Sequence, residues 1–544
     1  MFVSICSISN CSFEANSSGK CGLHCDKGKY QDDRLHGVLS EFYVCLGHYI
    51  YDELNNDQIE RLAEVYAEFS QSGLPSEEYM LLLELLSIDG SANTLRETLS
   101  ESVMHLGGIV FPARDPRDRF DYFKLLMLFD GIHFDTSIFH IESMNLKEIK
   151  VFFQDCVFLN DWSIHSFSVL EDVVNKTVFQ NCIFNGVVST SSEEHSRDSL
   201  IIEDHLFNDC KFEDKLTINR GEFKKSLFNN SVDDSHELTH LHIAGSKFAG
   251  RFILNNLTIQ LLEITDVEFE GKFELKDNVI SETSIRNVNF NNLFDAYKTQ
   301  FKRFKLSKCI FNDFSGFEKC EFGVQGEKDQ LPAEFEYATF LNFTNFRKAK
   351  FHSGLDLEHS NLKEPPNFLG ATINEEQTNR ETFRLIKHSF DKIGNHLEAN
   401  HYFALEMMKF KDELKRKVAS RTNSRAIFSW TLGLFGKNAS PKWEFLIYKT
   451  NEILSAFGQS YTRPLCIMTL ISFCYAAIVC WAGHNQIVRN IFDVSLLNTV
   501  VKQLPLYSKL LTIKGLEFVS FLYHIMFVSA LWHFMIAIKS KTRR

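Results

Sequence analysis

The chain has 544 residues, of which 24% are charged and 44% hydrophobic, as in ordinary globular proteins. This length predicts two to four domains. Two counts are unusual: there are 52 Phe and only 9 Pro. Helical enzymes spread their apolar positions over Leu, Ala, Val and Ile, so this Phe content favours a repeat architecture over a helical enzyme.

The net charge of −12 is unevenly distributed along the chain. Residues 374–544 carry 23 Lys and Arg against 12 Asp and Glu, whereas residues 1–373 carry 35 against 58. The acidic front argues against nucleic acid as a partner. The basic rear suits a segment that faces anionic lipid. The first residues contain no basic and apolar leader, which predicts that the 13 Cys lie reduced in the cytosol.

The first domain, 1–30, is rich in cysteine. Cys6, Cys11, Cys21 and Cys25 form C-x4-C-x9-C-x3-C, with His24 as an alternative ligand. Four such groups can close a tetrahedral structural Zn²⁺ site, and so short a segment has no other source of a core. The sequence therefore predicts a zinc knuckle, the alternative being an unstructured Cys-rich tail.

A mostly helical domain is expected over 31–130. Ile59, Leu62, Val65 and Phe69 recur at helical spacing, and Pro75 with two following acids is typical of a helix start. The stretch GGIVFPA is interpreted as a short strand or a turn. Cys45 lies on a predicted helix, where packing is its expected role.

From residue 131 to 373 the apolar period changes to five or six. The expected core ladder contains Phe335, Phe340, Phe346 and Phe351, and the spacing continues to Ile373. A small residue stands two positions before every second member, as Ala338, Ala349, Ser360 and Ala371. In upstream copies of the frame the small residue is often cysteine: Cys156, Cys182, Cys210, Cys309 and Cys320.

Neither an amphipathic helix nor a flat strand has a period of five. Such a period is typical of a chain that turns a corner every five residues and stacks its coils at strand spacing. The repeat Cys are then small buried apolar residues. The insertions SSEEHSRDSL and GVQGEKDQLPAE are expected to be loops.

This repeat resembles the pentapeptide-repeat family, with Phe or Leu at the centre and a small residue two before it. The resemblance implies a right-handed quadrilateral β-helix within a chain of mixed class. The N-terminal CGLHCDK also resembles a Cys-x-x-His-Cys element of some membrane-bound members. A later stretch also resembles these membrane-bound members, at Glu381–Arg384, Gly394-Asn395 and Tyr402–Met407. These residues lie in the segment 374–425, which is predicted to be a helical cap on the repeat.

Two uncharged stretches, 464–482 and 518–538, are each close to the length that spans a bilayer. A juxtamembrane segment, 426–463, precedes this two-span hairpin, 464–544, and its basic tail. Basic residues at both ends predict a multi-pass protein of the cytoplasmic membrane with cytosolic N- and C-termini, although the connection 483–517 also holds Lys and Arg. His524 and His533 are polar membrane candidates, either functional or bonded between helices.

One further motif points to an enzyme. Residues His236–His240 read H-E-x-x-H, the zinc-peptidase pattern, which needs both His on one face of a helix. The motif follows a loop-like composition and lies directly before another repeat frame at Ile243. Glu263 and Asp266 are loose candidates for a third ligand.

Four functions are compatible with these patterns. The leading hypothesis is a non-catalytic membrane-tethered scaffold whose cytosolic β-helix binds protein partners. The alternatives are an oligomeric membrane effector or pore gated by the cytosolic domains, and a zinc metallopeptidase acting through HELTH. The family resemblance adds DNA mimicry by an acidic β-helix, against which the membrane segments and the irregular repeats argue.

Overall fold

The computed structural model describes residues 5–8, 11–16, 18–28, 32–70, 75, 77–88, 90–100, 102–146, 149–165, 167–173, 176–190, 200–229, 236–421, 440–483 and 517–542. They form two compact units. The first is Met1–Ser353 with His359–Glu364 and Leu369–Thr372, and the second is Gly354–Glu358 with Pro365–Phe368 and Ile373–Arg544. The predicted insertion at 191–199 and most of the connection between the two apolar segments lie outside the described residues.

The first unit opens with a helical layer. Its helices are α1 Asp32–Glu53, α2 Asn56–Phe69, α3 Met80–Ser87, α4 Ser91–Leu99 and α5 Phe123–Leu126. Helix α2 begins with a capping box in which Asn55 and Gln58 satisfy each other's backbone N–H groups, and it buries the predicted apolar stripe at Leu62 and Val65. Helix α3 begins at Met80, later than Pro75 had indicated.

The rest of the first unit is built from parallel strands in four sheets, I to IV. Sheet I contains Val103–Gly107, Gly131–Asp135, Lys150–Gln154, Ser168–Val169, Thr177–Gln180 and His205–Asn208. Sheet III contains Leu200–Ile202, Gly221–Phe223, Lys247–Phe248, Glu268–Phe269, Asn289–Phe290, Ile310–Phe311, Thr339–Phe340 and Asn361–Leu362. Sheet IV contains Phe252–Ile253, Phe273–Glu274, Phe294–Asp295, Ser315–Gly316 and Thr344–Asn345.

Sheet II is the longest. It includes Val110–Phe111, Ile138–Phe139, Val157–Phe158, Trp162–Ile164, Ile183–Phe184, Val188–Thr190, Lys211–Asn219, His236–Ala244, Leu257–Thr265, Val279–Arg286, Gln300–Ser307, Glu321–Phe322, Ala333–Glu336 and Lys350–Phe351. Two further strands of the chain are Leu355–Asp356 and Thr372–Ile373.

Between residues 236 and 316 the chain passes through sheets II, III and IV in turn and then returns to sheet II, whereas the strands up to residue 190 belong to sheets I and II. Thr258 on one coil pairs with Val279 on the next, so one full coil lies between these two positions. The insertion GVQGEKDQLPAE lengthens a later coil, and the step from Phe311 to its partner Phe340 is therefore longer than the step from Phe290 to Phe311. The prediction of stacked parallel coils is confirmed as a β-solenoid-like fold. Stacking begins at Val103, before the predicted boundary at 131.

Phenylalanine rings fill the centre of the solenoid. In sheet III Phe223, Phe248, Phe269, Phe290, Phe311 and Phe340 occupy one register position on successive coils. Their ring centroids lie 4.7 to 5.4 Å apart with interplanar angles of 16° or less. This spacing matches the roughly 4.8 Å between neighbouring strands, so backbone pairing and ring stacking reinforce each other.

The corners of the coils use residues with positive φ. Asp266, Asn287 and Lys308 adopt φ of 56°, 54° and 54° at equivalent positions on successive coils. Asn and Asp tolerate this left-handed region better than most residues, whereas Lys does so at some cost. A single left-handed residue after each long strand of these coils turns the chain toward the next sheet.

The second unit is mainly helical. Its helices are α6 Arg380–Lys392, α7 His396–Arg421, α8 Ser440–Ser455, α9 Thr462–Gly483 and α10 Glu517–Thr542. The start of helix α6 and the residues before it bond to the segment Gly354–Glu358 of the same unit. The N–H of Leu357 donates to Thr382 Oγ1 at 2.8 Å, and that of Leu355 donates to Thr378 Oγ1 at 3.1 Å. These hydroxyls satisfy backbone groups that another coil would otherwise pair.

Helices α9 and α10 are long and apolar enough to cross a bilayer, with mean hydropathies of 1.6 and 1.8 over the candidate spans. They pack through polar side chains. Tyr475 and Tyr523 stack with ring centroids 4.2 Å apart. The Tyr475 hydroxyl lies 2.6 Å from Ser520 Oγ, and the Tyr523 hydroxyl lies 3.1 Å from Ser472 Oγ.

We predict that the ring ladder dominates the stability of the first unit. Phe340 is fully buried, whereas Phe343 is 36% exposed. Phe340→Ala should cost about 3–5 kcal/mol because it leaves a cavity inside the stack. The matched change Phe343→Ala should cost less than about 1 kcal/mol. Urea unfolding of the purified chain measures both, and equal losses for the two variants would contradict the ladder.

Candidate metal centre

The first two cysteines lie on a short hairpin. Ile5 and Glu14 form an antiparallel bridge, and the N–H of Cys6 donates to Phe13 O at 3.0 Å. The chain thus folds back between residues 6 and 13. This turn brings Cys6 and Cys11 to the same side of the hairpin as Cys21.

The other two ligand candidates lie on one tight turn. The N–H groups of His24 and Cys25 both donate to Cys21 O, at 3.1 and 3.0 Å. Cys21 and His24, three residues apart, then face the hairpin. The Cys25 thiol instead lies 3.9 Å from Gly22 O. Cys25 is therefore not part of the group that the structure gathers, and the alternative ligand His24 takes the place assigned to it.

Cys6, Cys11, Cys21 and His24 could hold a metal ion, since their ligand atoms all lie within 4.8 Å of one another. Cys11 Sγ is 3.7 Å from Cys21 Sγ, and His24 Nδ1 is 3.6 Å from Cys6 Sγ and 3.1 Å from Cys21 Sγ. Ligand atoms of a tetrahedral zinc site lie about 3.5–3.8 Å apart, given Zn–S of about 2.3 Å and Zn–N of about 2.0 Å. Three thiols and one imidazole fit such an ion in number and in spacing.

Burial of the cluster favours protonated thiols over thiolates when no metal ion is bound. Burial raises the pKa of the Cys21 thiol to about 12 and also raises that of Cys11. Burial acts in the same direction on Cys6, but hydrogen bonds from the backbone N–H groups of Ile8 and Cys21 and from the Cys11 and Cys21 thiols together outweigh it and lower the pKa of Cys6. A metal ion would displace the remaining protons, so its affinity should rise with pH.

A buried lysine stands beside the cluster. Lys27 Nζ donates to Leu23 O and Cys25 O, both at 3.0 Å, and lies 5.1 Å from the centroid of the Phe42 ring. Burial lowers the pKa of Lys27 to about 8. Three thiolates around a divalent ion leave one negative charge, which the Lys27 ammonium can balance. Lys27 lies two residues beyond the last cysteine of the motif, but no pattern in the sequence indicated it.

The cluster is attached to the first coil of the solenoid. The N–H of Val110, in the first strand of sheet II, donates to Leu23 O at 2.9 Å. Phe42 on α1 contacts Phe111 of the same strand, with ring centroids 5.7 Å apart. The Cys-rich segment and α1 therefore cover the N-terminal end of the Phe ladder together, as the first coil of a solenoid requires.

The predicted repeat residues lie in the interior of the solenoid. The core-ladder residues Phe335, Phe340, Phe346 and Phe351 are all buried. The repeat cysteines are buried too, and the thiols of Cys156, Cys182, Cys210 and Cys309 each lie 3.2 to 3.4 Å from the carbonyl two residues earlier.

The two histidines of helix α10 have separate partners. His524 Nδ1 lies 2.7 Å from the Ser520 carbonyl on its own helix, and His533 Nδ1 lies 3.4 Å from Ser455 Oγ on α8. The sequence analysis did not indicate Ser472, Tyr475 or Ser520 as polar candidates. Small hydroxyl residues are ordinary in apolar helices, and only packing brings these together.

The HELTH motif does not lie on a helix. Residues His236–Ala244 form a strand of sheet II. Residues four apart are about 13 Å apart along a strand, whereas on a helix their Cβ atoms are about 6 Å apart. His236 and His240 therefore lack the helical placement on which the zinc-peptidase interpretation depends.

No protein-family model matches the chain, and neither a curated protein nor a solved structure matches it.

We predict that Cys21 is a metal ligand and Cys25 is not. With Co²⁺ as the probe, the wild-type chain should show sulfur-to-cobalt charge-transfer absorption in the near ultraviolet. Cys21→Ser should remove most of this absorption, because it deletes a central thiolate. The matched variant Cys25→Ser should keep it. Loss of the band with Cys25→Ser and its retention with Cys21→Ser would contradict this ligand set.

Proposed function

We propose that the chain is a non-catalytic scaffold tethered to the cytoplasmic membrane, whose cytosolic solenoid binds protein partners. In this proposal the solenoid is a right-handed quadrilateral β-helix of the pentapeptide-repeat type. Both termini lie in the cytosol, and a structural Zn²⁺ occupies the N-terminal cluster.

Four of the buried positions on each coil of this region support the quadrilateral form. In one coil these are Ile259, Ile264, Phe269 and Phe273, all buried. The next coil repeats them in register as Ile280, Ile285, Phe290 and Phe294, also buried. The uneven spacings between successive inward positions suit a coil with four sides and uneven corners.

The observation that carries the scaffold proposal is the contrast between the interior and the outer face of sheet III. Stacked rings fill the interior of this wall and leave substrates no site there. On the outside, eight strands present Ile201, Glu222, Lys247, Glu268, Asn289, Ile310, Thr339 and Asn361 in register. Such a wall with a fixed repeat suits docking of another protein rather than catalysis.

Zinc is the metal that best suits the N-terminal cluster. Three thiolates and an imidazole are soft to borderline ligands that favour Zn²⁺ over Mg²⁺ or Ca²⁺. Four protein ligands close the coordination shell, and Cys21 is fully buried. A closed, buried site is typical of structural zinc, and here it would hold the cap against the first coil.

The helical pair supports a membrane anchor. Only 28% and 22% of the two candidate spans is buried within the chain, so most of their apolar surface needs another environment. A core helix of a soluble protein would be largely buried instead. The hydroxyls of Tyr475 and Tyr523 bond across the pair, which is typical of polar side chains that join helices in lipid. These polar groups are directed between the two helices, which favours an anchor over a pore.

We predict that the solenoid contacts a protein in cells whether or not its own spans anchor it. A photo-crosslinking amino acid at outward position Glu268 should give adducts of defined mass, whereas the same amino acid at the buried neighbour Phe269 should not. The adducts should persist when residues 464–538 are replaced by an unrelated two-span hairpin.

The membrane potential of the same cells distinguishes the scaffold proposal from the alternative of an oligomeric membrane effector or pore. It should stay unchanged on expression of the full-length chain. Depolarisation by that chain, abolished by the hairpin exchange, would instead establish the membrane effector. Absence of adducts at Glu268 and at the equivalent Asn289 would contradict a docking face on sheet III.

A further inference from the structure

The outward face of sheet II carries two histidines beside a glutamate. In the strand His236–Ala244, Leu241 and Ile243 point inward and are fully buried. Alternation along the strand directs His240 and His242 to the opposite, outward side. On the next strand, Glu263 stands directly opposite His242.

Both imidazoles are aimed at one carboxylate oxygen. His240 Nε2 lies 2.7 Å and His242 Nδ1 lies 3.3 Å from Glu263 Oε2. The ligand atoms of all three residues fall within 4.8 Å of one another. The side chains are 21%, 26% and 36% exposed, so the group is held by the sheet yet open to water.

We propose that His240, His242 and Glu263 bind a divalent transition-metal ion on the outer wall of the solenoid. Two imidazoles and one carboxylate are ligands that such ions accept, and they leave coordination positions for water or for a group from a partner. Ligand atoms about 2.0–2.1 Å from a shared ion lie about 3 Å apart, close to the two nitrogen–oxygen distances here. A small outward movement of Glu263 admits the ion.

The site differs from the zinc-peptidase pattern in geometry. The H-E-x-x-H motif requires His236, whereas this group uses only His240 from the motif. Its second histidine lies two residues further on, because side chains at i and i+2 share one face of a strand. The third ligand comes from the neighbouring coil and is Glu263, one of the two loose candidates that the sequence offered for that role.

The neighbouring side chains leave the site accessible. Lys215 is the register partner of His240 on the preceding strand, and Thr217 is that of His242. On the following strand Ser284 stands opposite Glu263, and Glu282 stands opposite Leu261. Arg286 stands opposite Thr265, two residues beyond Glu263 on the same face. The flanking charges are thus two cations and one anion.

The test is to measure Co²⁺ binding to the full-length chain in detergent, with calorimetry for the affinity and visible absorption for the type of ligand. The wild-type chain should bind an ion with the visible spectrum of nitrogen and oxygen ligands. His240→Gln, His242→Gln and Glu263→Gln should each weaken that binding by about 100-fold or more. Sulfur-to-cobalt absorption should not change in these variants, because it reports the N-terminal cluster separately.

Two further histidine variants serve as controls. His236→Gln removes the first residue of the motif, and His352→Gln removes a histidine whose Nε2 lies 4.0 Å from Glu321. Both should retain wild-type affinity for the nitrogen and oxygen site. Since the three ligand positions face outward, their variants should also keep the wild-type unfolding temperature.

Three results would overturn the proposal. One is wild-type Co²⁺ affinity in all three ligand variants, and another is the absence of any ion with nitrogen and oxygen ligands. In either case the group is an ion pair only. The third is an equal loss of Co²⁺ affinity in His236→Gln and His240→Gln. That result would mean that the ion is bound by the two histidines of the H-E-x-x-H motif, as in a zinc peptidase.

Discussion

The fold of the first unit depends on the match between the stacking distance of aromatic rings and the spacing of paired strands. Phe290 and Phe311 lie 4.8 Å apart with their rings 11° from parallel, and the same geometry recurs along sheet III. Each coil that adds a backbone ladder therefore adds a ring contact in the same step. Few other side chains fill the centre of a coil so fully while keeping this spacing, which explains the 52 Phe of the chain.

A filled interior directs chemistry to the ends and the outer walls. At the N-terminal end, Phe111 would be exposed without Phe42 of α1 and the Cys-rich segment. The candidate metal centre thus lies where the ladder must be closed. On the outer wall, alternation along each strand displays side chains in register, and neighbouring coils can combine their ligands. His242 and Glu263 are separated in sequence by a whole coil yet face each other directly.

Much of the solenoid could be predicted from sequence, because inward positions repeat locally. The five- and six-residue spacing identified Phe335, Phe340, Phe346 and Phe351 as core, and all four are buried. The start of the stack was placed too late because Val103–Gly107 lacks that spacing: its buried residues are Met104 and Leu106. Alternation over so short a run does not separate a coil from an isolated strand.

The sites were harder to predict because their geometry is not local. A cysteine count favoured Cys25, but the turn at Cys21 directs His24 toward the other ligands instead. The HELTH pattern indicates a zinc site only if its two histidines share one face of a helix, but these residues form a β-strand. The bonds that join Tyr475 to Ser520 and Tyr523 to Ser472 arise only when two helices pack, and no spacing within either helix indicates them.

The stacked register is the central claim, and a distance between two outward positions of sheet III tests it most directly. Glu222 and Asn361 are six strands apart in that sheet. Spin labels can be attached to genetically encoded ketone side chains at these two sites, and the distance between them measured by pulsed electron–electron double resonance. The distribution should be narrow and centred at about 29 Å, because six strand spacings separate the two sites. A broad distribution, or a distance beyond about 40 Å, would contradict continuous stacking of the coils.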